Sequence, residues 1–242
     1  MGKSVAIMQP LFLPWVGFFD LIDQVDEFVF LDTVQFQKQS WQQRNRIVCQ
    51  SGLTWLTVPV QKKGKFGQKI FEVEIKTADF PEKQLKTIAQ NYSKAPYFNM
   101  YWEKLEKIFI AGKKEGLLGQ LNVNLILWLA NHFGLSKDFK FASQMHLEDG
   151  RAGRLLDAIS QLGCSKYLSP LGSAPYLKED LSLFRDAGIR VMFQNYDPVA
   201  YRQQQKQFTP FASALDLLFN KGPESMAVIR AGRSRDIETD EV

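Results

Sequence analysis

Short apolar runs alternate with amphipathic stretches along this chain. An apolar run from Ser4 to Met8 precedes an amphipathic stretch from Val16 to Val25, and a second apolar run spans Glu27 to Leu31. Short apolar runs indicate buried strands, and apolar residues at helical spacing indicate a helix that packs on them. This β-loop-α-β succession within about thirty residues predicts two parallel strands joined by a right-handed crossover.

The same alternation returns in the second half of the chain. Strand-like runs at 139–142, 166–169 and 190–194 are separated by helical patterns at 150–162 and 178–187. Such alternation is typical of an α/β fold with a mainly parallel sheet and flanking helices. We predict a single α/β domain over residues 1–230, with its ligand site at the carboxyl edge of the sheet.

Two segments interrupt this pattern. Residues 35–76 are mainly extended, and strand-like runs at 54–60 and 70–75 predict an inserted β-hairpin around a basic loop at 61–69. Residues 81–133 have helical spacing and predict a helical excursion that serves as scaffold. Residues 231–242 are charged without apolar periodicity, which predicts a disordered tail.

The net charge of +4 is small, but the charged residues are unevenly distributed along the chain. No Asp or Glu occurs from Thr33 to Phe71, whereas this segment contains the basic residues Lys38, Arg44, Arg46, Lys62, Lys63, Lys65 and Lys69. We expect this surface to be electropositive and to attract phosphates.

The amino-acid composition limits the cellular location and the cofactors that we expect for this protein. The apolar stretch at 117–133 contains several amide side chains, which argues against a membrane span, and the first apolar run is too short for a secretion signal. We therefore predict a cytoplasmic protein. Two cysteines without CxxC spacing and two histidines argue against a dedicated zinc site. A metal, if one is used, would be magnesium held with a nucleotide-linked substrate.

The first candidate site is the loop between the first strand and the first helix. It comprises Gln9, Pro10, Pro14, Trp15 and Gly17. Free amides at a helix start attract anions, Gln9 offers a directional amide, and Gly17 allows close backbone approach. Alternatively, the prolines only shape a turn and the aromatic residues fill the core.

The second candidate site follows the second strand. It comprises Asp32, Gln35, Lys38, Trp41, Arg44, Asn45 and Arg46. Asp32 at a strand end is our candidate general base, the arginines could hold a phosphate or carboxylate, and Trp41 could stack on a ring. The alternative makes Asp32 a cap and the arginines a solvated face.

The third candidate site follows the strand at 166–169 and comprises Tyr167, Ser169, Gly172 and Tyr176. Its small residues let a ligand approach the backbone, and its hydroxyl groups can form hydrogen bonds. A plain β-to-α connection would explain the same residues. No GxSxG motif occurs, so a hydrolase of that type is not indicated.

Several of these motifs resemble those of the WbqC-like family of bacterial proteins. They are Val5-Ala6-Ile7-Met8-Gln9-Pro10, Leu13-Pro14-Trp15-Val16-Gly17-Phe18-Phe19, Phe28-Val29-Phe30-Leu31-Asp32, Val34-Gln35-Phe36, Trp41, Arg44-Asn45-Arg46, Trp55-Leu56-Thr57-Val58-Pro59-Val60, Tyr167-Leu168-Ser169, Gly172, Tyr176-Leu177 and Leu215-Asp216-Leu217-Leu218-Phe219-Asn220. The resemblance thus extends along nearly the whole chain up to Gly222.

The resemblance implies a role in surface-polysaccharide biosynthesis, including O-antigen assembly, and some relatives are described as glycine or aminoacyl transferases. The β-loop-α-β opening is also similar in outline to nucleotidylyltransferase-like folds. The HxGH motif of those enzymes is missing, so nucleotidyl transfer by the usual route is not indicated.

Our leading hypothesis is a transferase that moves a small acyl or aminoacyl group, for example glycyl, to a nucleotide-linked amino sugar. In this hypothesis the basic surface holds the diphosphate of the nucleotide sugar, or of another phosphorylated small molecule. The rival is a noncatalytic protein that binds a sugar nucleotide in an assembly. Nucleic-acid binding is a weaker rival, because the net charge is small and no RNA-binding motif occurs.

Overall fold

The computed structural model describes residues 2–148 and 150–241, apart from the side chain of Asp240. Its strands are β1 (Ser4–Met8), β2 (Glu27–Phe30), β3 (Arg44–Cys49), β4 (Gly52–Thr57), β5 (Phe139–Phe141), β6 (Lys166–Pro170), β7 (Arg190–Gln194) and β8 (Ile237–Glu238). Its α-helices are α1 (Val16–Gln24), α2 (Glu82–Tyr92), α3 (Phe98–Glu115), α4 (Leu118–His132), α5 (Arg151–Gln161), α6 (Ala174–Leu177), α7 (Leu181–Asp186), α8 (Ala214–Lys221) and α9 (Ser225–Ala231).

The main sheet has six strands in the order β5-β2-β1-β6-β7-β8, and all neighbours are parallel except β7 and β8. The predicted α/β class with a mainly parallel sheet and flanking helices is confirmed. Strands β2 and β5 lie on one side of β1. Strand β6, which comes later in the chain, lies on the other side of β1. The strand order therefore reverses between β1 and β6, where ligands of open α/β sheets bind beyond the strand ends.

Helices cover both faces of the sheet, which explains why its strands read as continuous apolar runs. Successive side chains point to opposite faces. Ala6 packs in one core together with residues of α1, α4 and α8, whereas Val5 and Ile7 pack in a second core with α5 and α7. No helix in the described part of the chain is long and apolar enough to cross a membrane.

The inserted hairpin is present, but its strands differ from those predicted. The structure pairs β4 with β3 in antiparallel register from Arg44↔Thr57 to Cys49↔Gly52, whereas Ile70–Glu72 is a 3₁₀ turn. Gln50 and Ser51 turn the chain directly after β3, and Gly52, the first residue of β4, has a φ of +111°. The short turn brings buried Val48 beside Leu53, so β3 pairs with the strand that directly follows it. The basic loop at 61–69 therefore lies outside the hairpin.

Residues 231–241, where the sequence predicts a disordered tail, contain strand β8 and several paired charges, and Val242 lies outside the described residues. Strand β8 pairs with β7. Arg233 donates to the wholly buried Asp20 at 2.7 Å and to Asp23, and Arg230 donates to Asp23 at 2.8 Å. Charges that looked solvated in the sequence are thus the partners of carboxylates on α1.

Replacing Arg233 with methionine should lower the free energy of unfolding by about 3 kcal/mol, because Asp20 would remain buried without its cationic partner. Urea unfolding at neutral pH measures the change. The matched control is Arg235→Met, which removes an ion pair between the exposed side chains of Arg235 and Glu241 and should cost less than about 0.5 kcal/mol. Equal losses in the two variants would contradict the role given to Arg233.

Candidate functional site

A recess opens at the carboxyl edge of the sheet, where the strand order reverses. It consists of two adjoining cavities of about 540 and 280 Å³, both lined by Gln9, Tyr167, Ser173 and Tyr176. The larger cavity extends to the start of α5, and the smaller one reaches Ser169, Gly172 and Leu11. We call the two cavities together the sheet-edge recess.

Two arginines on the first turn of α5 line the larger cavity. They are Arg151 and Arg154, and no acidic residue occurs in that turn. The start of a helix is already positive, so cations there weaken the helix unless an anion compensates them. The guanidinium of Arg151 pairs with Asp180 at 3.1 Å and lies over the ring of Tyr176 at 6.0 Å. This arrangement favours an anionic group of a ligand.

A row of hydroxyl groups lines the other side of the recess. The Oγ atom of Ser169 donates to the Tyr167 hydroxyl at 3.3 Å and lies 2.6 Å from the Oγ atom of Ser173. Burial raises the pKa of Tyr167, so its phenol stays protonated at neutral pH. The hydroxyl groups of Tyr167, Ser169 and Ser173 thus form one hydrogen-bonded chain along this side of the recess.

The Gln9 amide is oriented by the segment before the hairpin. Its Oε1 atom accepts from Nε2 of Gln42 at 2.7 Å, which leaves the Gln9 NH₂ group as a donor at the recess. The Nδ2 atom of buried Asn122 donates to the Pro10 and Gln42 carbonyls at 2.9 and 2.8 Å. Asn122 on α4 therefore holds the loop after β1 against this segment.

Asp32 lies at the end of β2 and is almost wholly buried. Its two oxygens accept from the backbone N–H and the hydroxyl of Ser143, at 2.9 and 2.6 Å. These bonds join the chain after β2 to the chain after β5. Among the described residues that line the sheet-edge recess, Asp32 is absent, and its catalytic role stays a prediction.

Other predicted residues gather in a second recess of about 260 Å³, which we call the aromatic recess. It is lined by Leu11, Pro14, Trp15, Trp41, Asn45, Arg46 and Phe211. The Nδ2 atom of buried Asn45 donates to the carbonyls of Phe12 and Leu13 at 3.2 and 2.8 Å, which shapes the wall. Leu11 lines both recesses, so the loop after β1 separates them.

Six predicted residues lie outside both linings, namely Pro10, Gly17, Asp32, Gln35, Lys38 and Arg44. Gln35 forms a bridge with Lys69, the Lys38 ammonium lies over the Phe66 ring at 5.4 Å, and Arg44 stacks on Trp55 at 4.2 Å. Lys38 thus contacts a ring of the basic loop, and Arg44 contacts a ring of β4.

Sequence reasoning missed Arg151, Arg154, Phe211 and Asn122. The two arginines had a usable signal, because cations in the first turn of a predicted helix oppose the helix dipole. Phe211 and Asn122 had none, since their roles depend on contacts distant in sequence. In residues 2–148 and 150–241 no group of three or more His, Cys, Asp or Glu side chains could hold a metal ion.

Strand order and recess together define a doubly wound α/β protein with a polar cleft beyond its strand ends. The profile of the WbqC-like protein family matches residues 9–228, and the chain belongs to that family. It is 37% identical over 229 residues to the uncharacterized protein Rv1507c of Mycobacterium tuberculosis, which covers 94% of this chain and 98% of the relative. No solved structure matches this chain at a significant level, and the nucleotidylyltransferase-like outline stays a prediction.

The two glycines predicted at ligand sites differ in the space around them. A Cβ atom on Gly17 would lie 2.4 Å from the Trp15 ring, whereas one on Gly172 would have no neighbour within 4 Å. We expect Gly17→Ala to displace the Trp15 indole and to lower the free energy of unfolding by about 1–3 kcal/mol. Tryptophan emission and urea unfolding measure both effects.

The matched control is Gly172→Ala, which should leave the emission unchanged and alter stability by less than about 0.5 kcal/mol. A Gly17→Ala variant with the emission and stability of the original protein would show that Trp15 does not depend on this close approach.

Proposed function

We propose that this protein binds a nucleotide-linked amino sugar in the sheet-edge recess and transfers a small acyl or aminoacyl group, such as glycyl, to its amine. The observation that carries the proposal is the pair Arg151 and Arg154 beside a cavity at the strand-order reversal. Membership in the WbqC-like family supports a place in the biosynthesis of bacterial surface polysaccharide, such as O-antigen.

The size and charge of the recess suit such a ligand. Its larger cavity of about 540 Å³ lies within the range of about 300–1,000 Å³ usual for small-molecule sites. Guanidinium groups bind phosphate oxygens through paired, charge-assisted hydrogen bonds. A diphosphate beside Arg151 and Arg154 would also interact favourably with the positive start of α5.

The remaining lining suits a sugar. The Gln9 NH₂ group and the hydroxyls of Tyr167 and Ser173 can form hydrogen bonds with sugar hydroxyls. The exposed ring of Tyr176 offers a flat apolar surface at the same cavity. Polar groups of this kind orient a ligand, and orientation of two reactants is itself a large part of catalysis.

Transfer forms an amide bond between the acyl carbon and the acceptor amine, breaks the bond between that carbon and the donor's carrier group, which leaves, and requires that the amine lose a proton. Asp32 remains our candidate base, because its carboxylate retains lone pairs beyond the two hydrogen bonds from Ser143. Ser143 would hold the carboxylate in place while it accepts the proton. Magnesium could accompany the diphosphate, since it is bound chiefly by phosphate oxygens and water.

Calorimetric titration with UDP- and dTDP-linked amino sugars tests the binding step. The original protein should bind at least one of them, and Arg154→Gln should weaken that binding about 10- to 100-fold, as expected for a lost charge-assisted contact. Arg235→Gln, an exposed arginine that pairs with Glu241, is the control and should bind normally. A folded original protein that binds none of these compounds would refute the proposal.

A noncatalytic binding protein is the second candidate, and the position of Asp32 outside the recess lining favours it. Asp32→Asn separates the two candidates. If the protein is a transferase with Asp32 as its base, this variant should lose turnover by at least about 100-fold while its affinity for the sugar nucleotide stays within about twofold. Turnover that survives in Asp32→Asn would exclude Asp32 as the base.

A further inference from the structure

The aromatic recess has the composition of a ligand site. Its walls are apolar and largely flat, with the Trp15 and Phe211 rings 5.6 Å apart at 44° and Trp41 on the hairpin side. Trp41 and Phe211 are 45% and 46% exposed. Large rings left half-exposed around a cavity contribute little to the core, which favours a role in recognition.

Phe211 has a strained backbone conformation at the aromatic recess. Its φ of +59° is a left-handed conformation that is rare for an aromatic residue. The loop is secured on both sides, because Ser213 N donates to the Arg46 carbonyl and Ala214 N donates to the Pro14 carbonyl, each at 2.8 Å. Conformations of this kind cost about 1–3 kcal/mol and cluster at ligand sites. Leu13, in the loop after β1, has a φ of +43°.

Arg46 gives the recess a single strong polar group. Its guanidinium lies over Trp41 at 5.4 Å, and its buried Nε atom has no hydrogen-bond partner in the described part of the chain. The neighbouring amide of Asn45 is already bonded to two carbonyls. Arg46 belongs to the segment from Thr33 to Phe71 that contains no Asp or Glu, so its guanidinium favours an anion from a ligand.

We propose that the aromatic recess binds a nucleoside monophosphate or the equivalent part of a larger nucleotide. The base lies against Trp41, beside the contacting rings of Trp15 and Phe211, and the phosphate pairs with Arg46. A sugar alone would need several hydrogen-bonding groups, whereas this recess offers one cation and flat rings. Its volume of about 260 Å³ suits a base with its phosphate outside.

This site is separate from the sheet-edge recess, and the proposal does not depend on the proposed function. Leu11 lines both recesses, so ligands in the two would lie on opposite sides of one side chain. Such an arrangement suits a reaction between two substrates, one of which carries a nucleotide portion.

Titration with AMP and with UMP, followed by tryptophan emission and calorimetry, tests the proposal. Adenosine tests the binding of the base without a phosphate, and inorganic phosphate tests the binding of the anion without a base. We expect AMP and UMP to quench the emission, and Arg46→Gln to weaken AMP at least tenfold while adenosine binding stays within about threefold. Phe211→Gly should weaken AMP and adenosine alike.

Two control variants locate the binding. Arg44→Gln changes an arginine on the same strand that does not line the aromatic recess, and Arg154→Gln changes the sheet-edge recess. Arg44→Gln should bind AMP as the original protein does, and Arg154→Gln shows whether AMP occupies the sheet-edge recess instead. If Arg46→Gln does not fold, Phe211→Gly decides the question, because glycine readily adopts a positive φ.

Three results would overturn the proposal. The first is a folded original protein that binds neither AMP nor UMP. The second is AMP binding that is lost in Arg154→Gln and kept in Phe211→Gly, which would place the nucleotide in the sheet-edge recess. The third is binding confined to oligonucleotides with a steep salt dependence, which would indicate a nucleic-acid surface instead. Binding of UDP-linked amino sugars is measured separately, so either proposal can fail alone.

Discussion

The segment between β1 and α1 is held in place by two buried amides, and the rest of the candidate site depends on this restraint. Asn122 donates to Pro10 and Gln42, and Asn45 donates to Phe12 and Leu13. Each amide satisfies backbone carbonyls that would otherwise be buried without partners, at a cost of about 1–3 kcal/mol each. The loop is therefore joined both to α4 and to the hairpin.

This restraint explains why one loop can serve two recesses. On one side the loop presents Gln9 to the strand ends, and on the other it presents Pro14 and Trp15 to the hairpin. An unrestrained loop would hold neither Gln9 nor Trp15 in a fixed position, because fixing the backbone of one residue costs about 1–2 kcal/mol of conformational entropy. The inserted hairpin thus completes a wall that the sheet lacks.

Periodicity predicted the parallel strands and their helices well, since both faces of the sheet are covered and the strands read as apolar runs. It failed for the hairpin, because Arg44 and Arg46 suggested chemistry and concealed a strand whose alternate residues are buried. It also failed for Arg233, whose carboxylate partners lie on α1. Gln9 lines one recess, whereas Pro14 and Trp15 line the other, although the three residues are close in sequence. A turn after a strand points neighbouring side chains in different directions.

The edges of the main sheet bear on how this chain behaves among its own copies. An unpaired strand edge is a template on which another chain can add a strand. Here one edge strand, β5, has three residues and the other, β8, has two, and β8 carries an ion pair between Glu238 and Arg190. Neither edge offers a long, flat ladder of free amides and carbonyls. The sheet is thereby protected against edge-to-edge association at the high concentrations reached during expression.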